Sequence, residues 1–378
     1  MFFNAHSQIF INEVLMPYFS EVDCKNDCKQ TGASCDINIP LTARYARTAK
    51  PSDQEYMIAI NRQSFDFKKG QSVKVTAWYD ELKDNSKGGI LTEFEGFIYD
   101  FVAGNPLKIR CLDYFFFFQQ GTINLSTSAK KFNGQFKDVL QFIIDGANKN
   151  LQSYIDDQTV KSDLPKIVIS KYYMDFQVAD LVMNNLSPAA CLEWLKKELS
   201  AVCTMIGNEL YFSFSSNTIA SVNLHTKFNV IGKPKMQLPE AAFQKFKMQA
   251  YYMKEDGTKR VYATGDDYGQ DGTDSEGNPT TSVPGDVNGE LHELNMHFVK
   301  NKTDHIKLID NAWREKRFGH YTGTLETLLY PKLDLFYKVV YTDFRFPERS
   351  GNYVVREHNF KISEQGYHRS IKLAYLDN

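Results

Sequence analysis

Residues 94–101 read FEGFIYDF and residues 107–113 read LKIRCLD, with Gly104, Asn105 and Pro106 between them. Two short apolar runs separated by turn residues describe a pair of adjacent strands. Upstream, Val73, Val75 and Ala77 alternate with Lys74, Thr76 and Trp78, the period of a sheet with two unlike faces. The polar stretch KDNSKGG at 83–89 joins this run to FEGFIYDF, so a hairpin is expected. Several short strands punctuated in this way indicate a barrel or a sandwich. Composition leans the same way: 28 Phe, 21 Tyr and 3 Trp make 14% of the chain aromatic, and flat aromatic side chains suit half-buried strands.

Beyond residue 132 the period changes. Phe136, Val139, Leu140, Ile143, Ile144 and Ala147 recur at three- and four-residue steps and line one face of a helix. Ser187 followed by Pro188 announces a second helix, whose apolar side carries Cys191, Leu192, Leu195 and Leu199. A turn at Gly207 and Asn208 leads to a strand from Glu209 to Phe214, so the middle of the chain reads as mixed α/β. Phe246–Met253 and Lys259–Ala263 flank Asp256 and Gly257, residues that tolerate the positive φ of a tight hairpin turn. Residues 265–289 hold almost no apolar side chains and read as a mobile loop. A helix is expected from Thr303 to Phe318, with Ile306, Ile309, Ala312 and Trp313 inward and Gly319 as its stop. In the tail, Ile371, Leu373 and Tyr375 face one way and Ser370, Lys372 and Ala374 the other.

The chain has 378 residues, enough for two or three domains with substantial cores. Its 44 basic and 46 acidic residues give a formal net charge of -2, which supplies no general attraction to nucleic acid or to an anionic membrane. No Lys or Arg precedes Lys25, and polar residues break the apolar N-terminus, so no secretory signal is expected. The apolar run Tyr114–Phe118 is far too short to span a bilayer. Six cysteines in a long chain without an export signal are expected as reduced thiols.

Local chemical signatures are weak. His292-Glu293-Leu294-Asn295-Met296-His297 nearly spells a zinc protease motif, but its histidines are five residues apart. On a helix the second would be turned about 140° from the first, so they could not share a metal. Cys24, Cys28 and Cys35 include a knuckle-like spacing but lack a matched second pair, and a fourth ligand would have to be remote, such as His6 or Cys111. Asp267, Asp271 and Asp274 do not follow the order of a calcium-binding EF-hand loop. Phosphate-loop, nucleotide and serine-nucleophile motifs are absent, and the pairs Lys68-Lys69, Lys130-Lys131 and Lys196-Lys197 read as solvated faces. No catalytic, cofactor-binding or metal residue is therefore assigned, and no cofactor is expected.

The order of elements is more informative than any one of them. Phe94-Glu95-Gly96-Phe97-Ile98-Tyr99-Asp100, then a strand ending in Cys111-Leu112-Asp113, then a small helical region, resembles the opening of the late control protein D family of bacteriophage tail hub proteins. That family includes the hub of Mu-like phages and is similar to the N-terminal part of type VI secretion spike proteins. Leu186-Ser187-Pro188 with Cys191–Lys197 resembles its helix, Gly207–Phe212 its following strand, and Gly351–Val355 with Gly366–Leu373 its closing hairpin. Two departures stand out: Pro331-Lys332-Leu333 continues into Asp334-Leu335-Phe336-Tyr337 where the family often has a Gly-Asp turn, and the Cys24–Cys35 segment looks inserted.

The resemblance implies a mixed β-rich α+β chain. Two related β-barrel domains, 1–113 and 226–378, would enclose an α/β region at 114–225, with the loop 264–290 and the helix 303–318 inserted in the second barrel. It further implies a non-enzymatic hub of a tail or baseplate. Three copies would form a ring of six barrels, joining a sixfold tail tube protein to a threefold spike protein. DNA would pass through the lumen without specific binding, and the ring would sit in the virion after assembly in the bacterial cytoplasm. With the sequence ending soon after the closing hairpin, no fused needle or lysozyme domain is expected. Two other functions are compatible with β-rich sequence: a cell-wall or polysaccharide hydrolase, which needs convergent carboxylates in a cleft, and a carbohydrate- or receptor-binding module, which needs exposed aromatics. Burial of Trp78, Trp194 and Trp313 would speak for core packing.

Overall fold

The computed structural model describes residues 5–16, 18–40, 67–79, 89–104, 106–126, 131–160, 163–214, 217–238, 246–253, 259–265, 290–294, 296–316, 321–363 and 366–376. Strands account for 49% of it and helices for 19%, which makes the fold β-rich α+β, as expected. The first region contributes β1 (Ala5–Ile11), β2 (Val14–Met16), β3 (Glu21–Asp27), β4 (Ser34–Ile39), β5 (Ser72–Tyr79), β6 (Leu91–Val102) and β7 (Leu107–Leu112). They lie in the antiparallel order β2-β1-β5-β6-β7-β4-β3. The opening sequence motif is thus the hairpin of β6 and β7, and Ile9, Val22, Ile37, Val75, Ile98 and Ile109 form the core beneath the sheet.

Strict alternation fails in β5. The pairing of β5 with β6 slips between Val75 and Thr76, and beyond the slip Thr76, Ala77, Trp78 and Tyr79 are all buried. The slip leaves Glu93 of β6 as the extra residue, while β5 keeps an unbroken register with β1; Val73, Val75, Ala77 and Tyr79 share the core face, and Thr76 and Trp78 are covered on the other.

The middle region starts with a short 3-10 helix, Tyr114–Gln119, in which five consecutive aromatics are buried. It continues with β8 (Phe132–Gln135), α1 (Phe136–Asp156), β9 (Val168–Tyr173), β10 (Gln177–Leu181), α2 (Pro188–Leu199), β11 (Val202–Ile206) and β12 (Glu209–Ser213). Both expected helices are present with the expected buried faces. The Ser187 hydroxyl accepts from the Ala190 amide at 3.1 Å, the cap that its position before Pro188 foretells. Phe97 and the five aromatics pack with α1 and α2 in one core.

The last region comprises β13 (Ala220–His225), β14 (Val230–Gln237), β15 (Phe246–Met253), β16 (Lys259–Gly265), β17 (Glu290–Leu294), α3 (Lys302–Lys316), β18 (Thr322–Thr327), β19 (Tyr337–Thr342), β20 (Gly351–Ser363) and β21 (Gly366–Tyr375). β15 and β16 form the expected antiparallel hairpin, while its turn at 256–257 and the segment 266–289 fall outside the described residues. Ile309 and Ala312 of α3 are buried as expected; the side chains of Ile306 and Trp313, and Gly319, are outside the described set. The tail alternation holds except at Ala374, which is buried on the expected outer face; Arg369, in step with Ile371 and Leu373, is buried with them.

One strand joins the two β regions. Along one edge, β20 pairs with β19 through Tyr341↔Gly351 to Lys338↔Val354, then with β3 through Glu357↔Asp27 to Ser363↔Glu21. Its other edge pairs with β21 throughout, with a slip between Val355 and Glu357. First and last regions therefore share a single hydrogen-bonded ladder.

Candidate interaction surface and the buried joint behind it

The candidate metal ligands are not brought together. His292 lies in β17 and His297 is exposed beyond it, beside Phe298. Cys28 packs in the core of the last region, whereas Cys24 and Cys35 face each other across β3 and β4, with Cys111 opposite Cys35 on β7. Trp78 is buried and stacks on His6 with ring centroids 5.7 Å apart, and Trp194 is half-buried against Phe298. Lys196 departs from the reading as a solvated face: its ammonium donates to the Lys29 carbonyl at 2.5 Å and lies 3.4 Å from the Thr31 hydroxyl, tying α2 to the β3–β4 turn.

Where the two β regions meet, side chains that look like surface charges in the sequence are buried. Arg369 of β21 pairs with Glu93 of β6, and their side chains are 0% and 2% exposed. The guanidinium also donates to the carbonyls of Leu329 at 2.6 Å and Pro331 at 3.3 Å. The Leu329 amide donates to the Tyr79 hydroxyl at 3.1 Å, and the Tyr330 hydroxyl donates to the Gly89 carbonyl. Burial opposes the charge on Arg369, but Glu93 and the Tyr367 hydroxyl beside it hold its pKa above the ordinary value. His358 lies 3.9 Å from Glu93, yet burial and the charges of Arg369 and Lys332 push its pKa well down, so it is neutral and makes no ion pair. The acid–base pair is thus an internal weld.

Asp113 makes a second joint. Its carboxylate accepts from the Ala33 amide at 2.7 Å and the Phe115 amide at 2.9 Å, holding the β3–β4 turn to the 3-10 helix. Burial raises its pKa to about 7, against the two amides that favour the ion. The folded protein therefore keeps this proton over a range in which the unfolded chain has lost it. Asp113 contributes stability that is full below about pH 4 and is lost as the pH rises to about 7. Thermal unfolding of wild type and Asp113→Asn across pH 4–8 checks this: the difference between them should shift by about 2–4 kcal/mol over that window, and parallel profiles would refute it.

Among the described residues, the two most exposed large hydrophobic side chains, Phe228 and Phe344, lie at one end of the last region. β13 and β19 are parallel, so the segments that follow them emerge side by side. The Thr226 amide donates to the Thr342 carbonyl at 3.2 Å, and the Phe344 amide donates to the Thr226 hydroxyl at 3.1 Å. Asp343 accepts from the amides of Arg345 at 2.9 Å and Phe346 at 3.1 Å, which sets the second segment rigidly. Onto this frame are mounted Phe228, Phe344 and Phe346, which are 74%, 61% and 45% exposed. Lys227 sits 3.3 Å over the Phe344 ring and Arg349 4.2 Å over that of Phe346. Rings with cations on their faces can bury apolar area against a partner while offering charge to its acids.

The strand beside this tip is open. Among the described residues β13 pairs only with β19, and its sequence ASVNLH contains no Lys, Pro or acid. β14, at another margin of the sheet, carries Lys233, Pro234 and Lys235 and a slip between Ile231 and Lys235, features that discourage strand addition. Unlike β14, β13 lacks these guards. Sequence reasoning missed the tip because Phe228 and Phe344 sit in strand-like surroundings where an aromatic reads as core.

No protein-family model and no curated protein matches this chain. Solved structures do. The tail protein from Neisseria meningitidis MC58 aligns over 98% of this chain and 96% of its own, with a TM-score of 0.58 and 11% identity. The 43 kDa tail protein of prophage MuSo2 from Shewanella oneidensis aligns over 98% of this chain and 99% of its own, with a TM-score of 0.54 and 12% identity. From β1 to β21, the chain has the fold of these prophage and bacterial tail proteins.

Proposed function

We propose that this chain is a structural hub of a phage or phage-like tail, three copies of which close into a ring between a sixfold tube and a threefold spike. The observation that carries the reading is the likeness in fold to two tail proteins over essentially the whole length of all three chains. On this reading the two β regions joined by β20 act as two related platforms per copy, so that a trimer presents six. The tip of Phe228, Phe344 and Phe346, continuous with the open edge of β13, has the chemistry of an assembly contact. Three hydrophobic cores support a division into three units, although the middle core also takes in Leu294, Phe298 and Ile309 from beyond residue 225. A structural role is consistent with the buried acids: Glu93 is held by Arg369, and Asp113 by backbone amides.

Light scattering at high concentration, alone and with tube and spike partners, tests the proposal. Wild type should form trimers or be driven into rings by its partners. Phe228→Ser/Phe344→Ser should fall to monomer or bind its partners at least tenfold more weakly, with a melting temperature within about 2 °C of wild type, because exposed side chains contribute little to stability. A wild type that stays monomeric and forms no ring with either partner overturns the reading.

A further inference from the structure

β3, β4 and β7 lie side by side, and their register sets Cys24 opposite Cys35 and Cys35 opposite Cys111. Directly opposed residues of antiparallel strands have Cα atoms about 4.5–5.5 Å apart, inside the range that a disulfide spans. Of the two opposed pairs, Cys24 and Cys35 are the closer fit to a bond. Their sulfurs are 2.7 Å apart, about 0.7 Å beyond a disulfide bond. All three thiols are buried, but Cys24 also borders a small polar pocket lined by Asn26, Thr92, Glu93, Lys332, Asp334 and His358. The pocket has a volume of only about 30 Å³, room for a water, so a larger oxidant reaches Cys24 from this side when the strands open locally.

We propose that Cys24 and Cys35 are a cross-strand oxidation site that closes into a disulfide with a small-molecule disulfide as oxidant. The Cys24 thiolate attacks one sulfur of the oxidant, forming a mixed disulfide and releasing one small thiolate. The Cys35 thiolate then attacks the Cys24 sulfur, forming the Cys24–Cys35 bond and expelling the second small thiolate. Two protein thiols are oxidised and one small disulfide is reduced to two thiols, the two protons lost by the protein thiols passing by way of solvent to the released thiolates. The product closes the β3–β4 hairpin, whose turn Asp113 and Lys196 hold to the middle region and whose strand β3 pairs with β20. A chain reduced in the cytosol would gain this staple on reaching an oxidising medium. Burial raises both thiol pKa values, so closure is slow at neutral pH and faster as the pH rises or in mild denaturant.

The test treats the full chain with glutathione disulfide and then counts thiols in denaturant, with a non-reducing peptide map. The count should fall from six to four, and the map should join the peptides of Cys24 and Cys35. Cys111→Ser should form the same link, whereas Cys24→Ser and Cys35→Ser should not. Oxidised wild type should melt about 3–5 °C above its reduced form, and this shift should vanish in Cys35→Ser. Six free thiols after treatment, a link from Cys35 to Cys111, or a link between two chains each overturns the proposal. None of these outcomes depends on ring formation.

Discussion

Arg369→Ala is expected to destabilise the fold by about 3–5 kcal/mol, measured as a lowered urea midpoint and a loss of soluble protein. The substitution removes more than one ion pair. Glu93 would be left with a side chain 2% exposed and no counter-charge, and the carbonyls of Leu329 and Pro331 would lose their donor. Desolvation is what makes the single change costly: a buried charge without its partner is worse than a buried pair, and worse than no charge. Glu93→Gln/Arg369→Met should therefore recover at least half of the loss, since both charges leave together. An Arg369→Ala protein within about 1 kcal/mol of wild type would show that the joint does not weld the two β regions.

The second large effect belongs to the motif that opens the fold. Gly96→Val is expected to cost about 3 kcal/mol or more and to leave mostly insoluble protein. A Cβ on Gly96 would lie 2.3 Å from the carbonyl oxygen of Leu112 and 2.8 Å from its carbon, so it would collide with the backbone of β7. Backbone cannot rotate away as a side chain can. Gly323 of β18 is in the same position against β14, where a Cβ would meet the Lys235 oxygen at 2.1 Å, and Gly323→Val should behave alike. The control is Gly207→Ala, at a turn with positive φ and open space, where the cost should be only about 1 kcal/mol. Equal expression and melting of Gly96→Val and Gly207→Ala would sink the argument.

These two effects also mark where sequence reading succeeds and where it stops. The helices α1 and α2 were legible because each buries a face against the body at the helical period, and Ser187 and Pro188 are local caps. The hairpins β6–β7 and β15–β16 were legible because turn chemistry lies between strand-like runs. Alternation alone did not foretell the burial of Thr76 and Ala374, for a common reason. Strand periodicity assigns sides on the assumption of one wet face, and both residues lie where the second face of the strand is covered as well.

The candidate site divides in the same way. Cysteine spacing drew attention to Cys24, Cys28 and Cys35, but strand register replaces Cys28 with Cys111, a residue 76 positions beyond Cys35. Nothing local singles out Phe228 and Phe344, because exposure of an aromatic depends on what the rest of the chain fails to cover.

By itself, the sequence determined the local elements, the β-rich α+β class and an order of elements similar to tail hub proteins. These follow from interactions within a dozen or so residues: periodic burial, caps and turns. Only the tertiary structure decided that β20 binds both β regions, that Glu93 and Arg369 meet across 276 residues, that Cys24 faces Cys35, and that three phenylalanines are left in water. Each of those depends on which distant backbones lie side by side, and a pairing between remote strands leaves no periodic trace in either one.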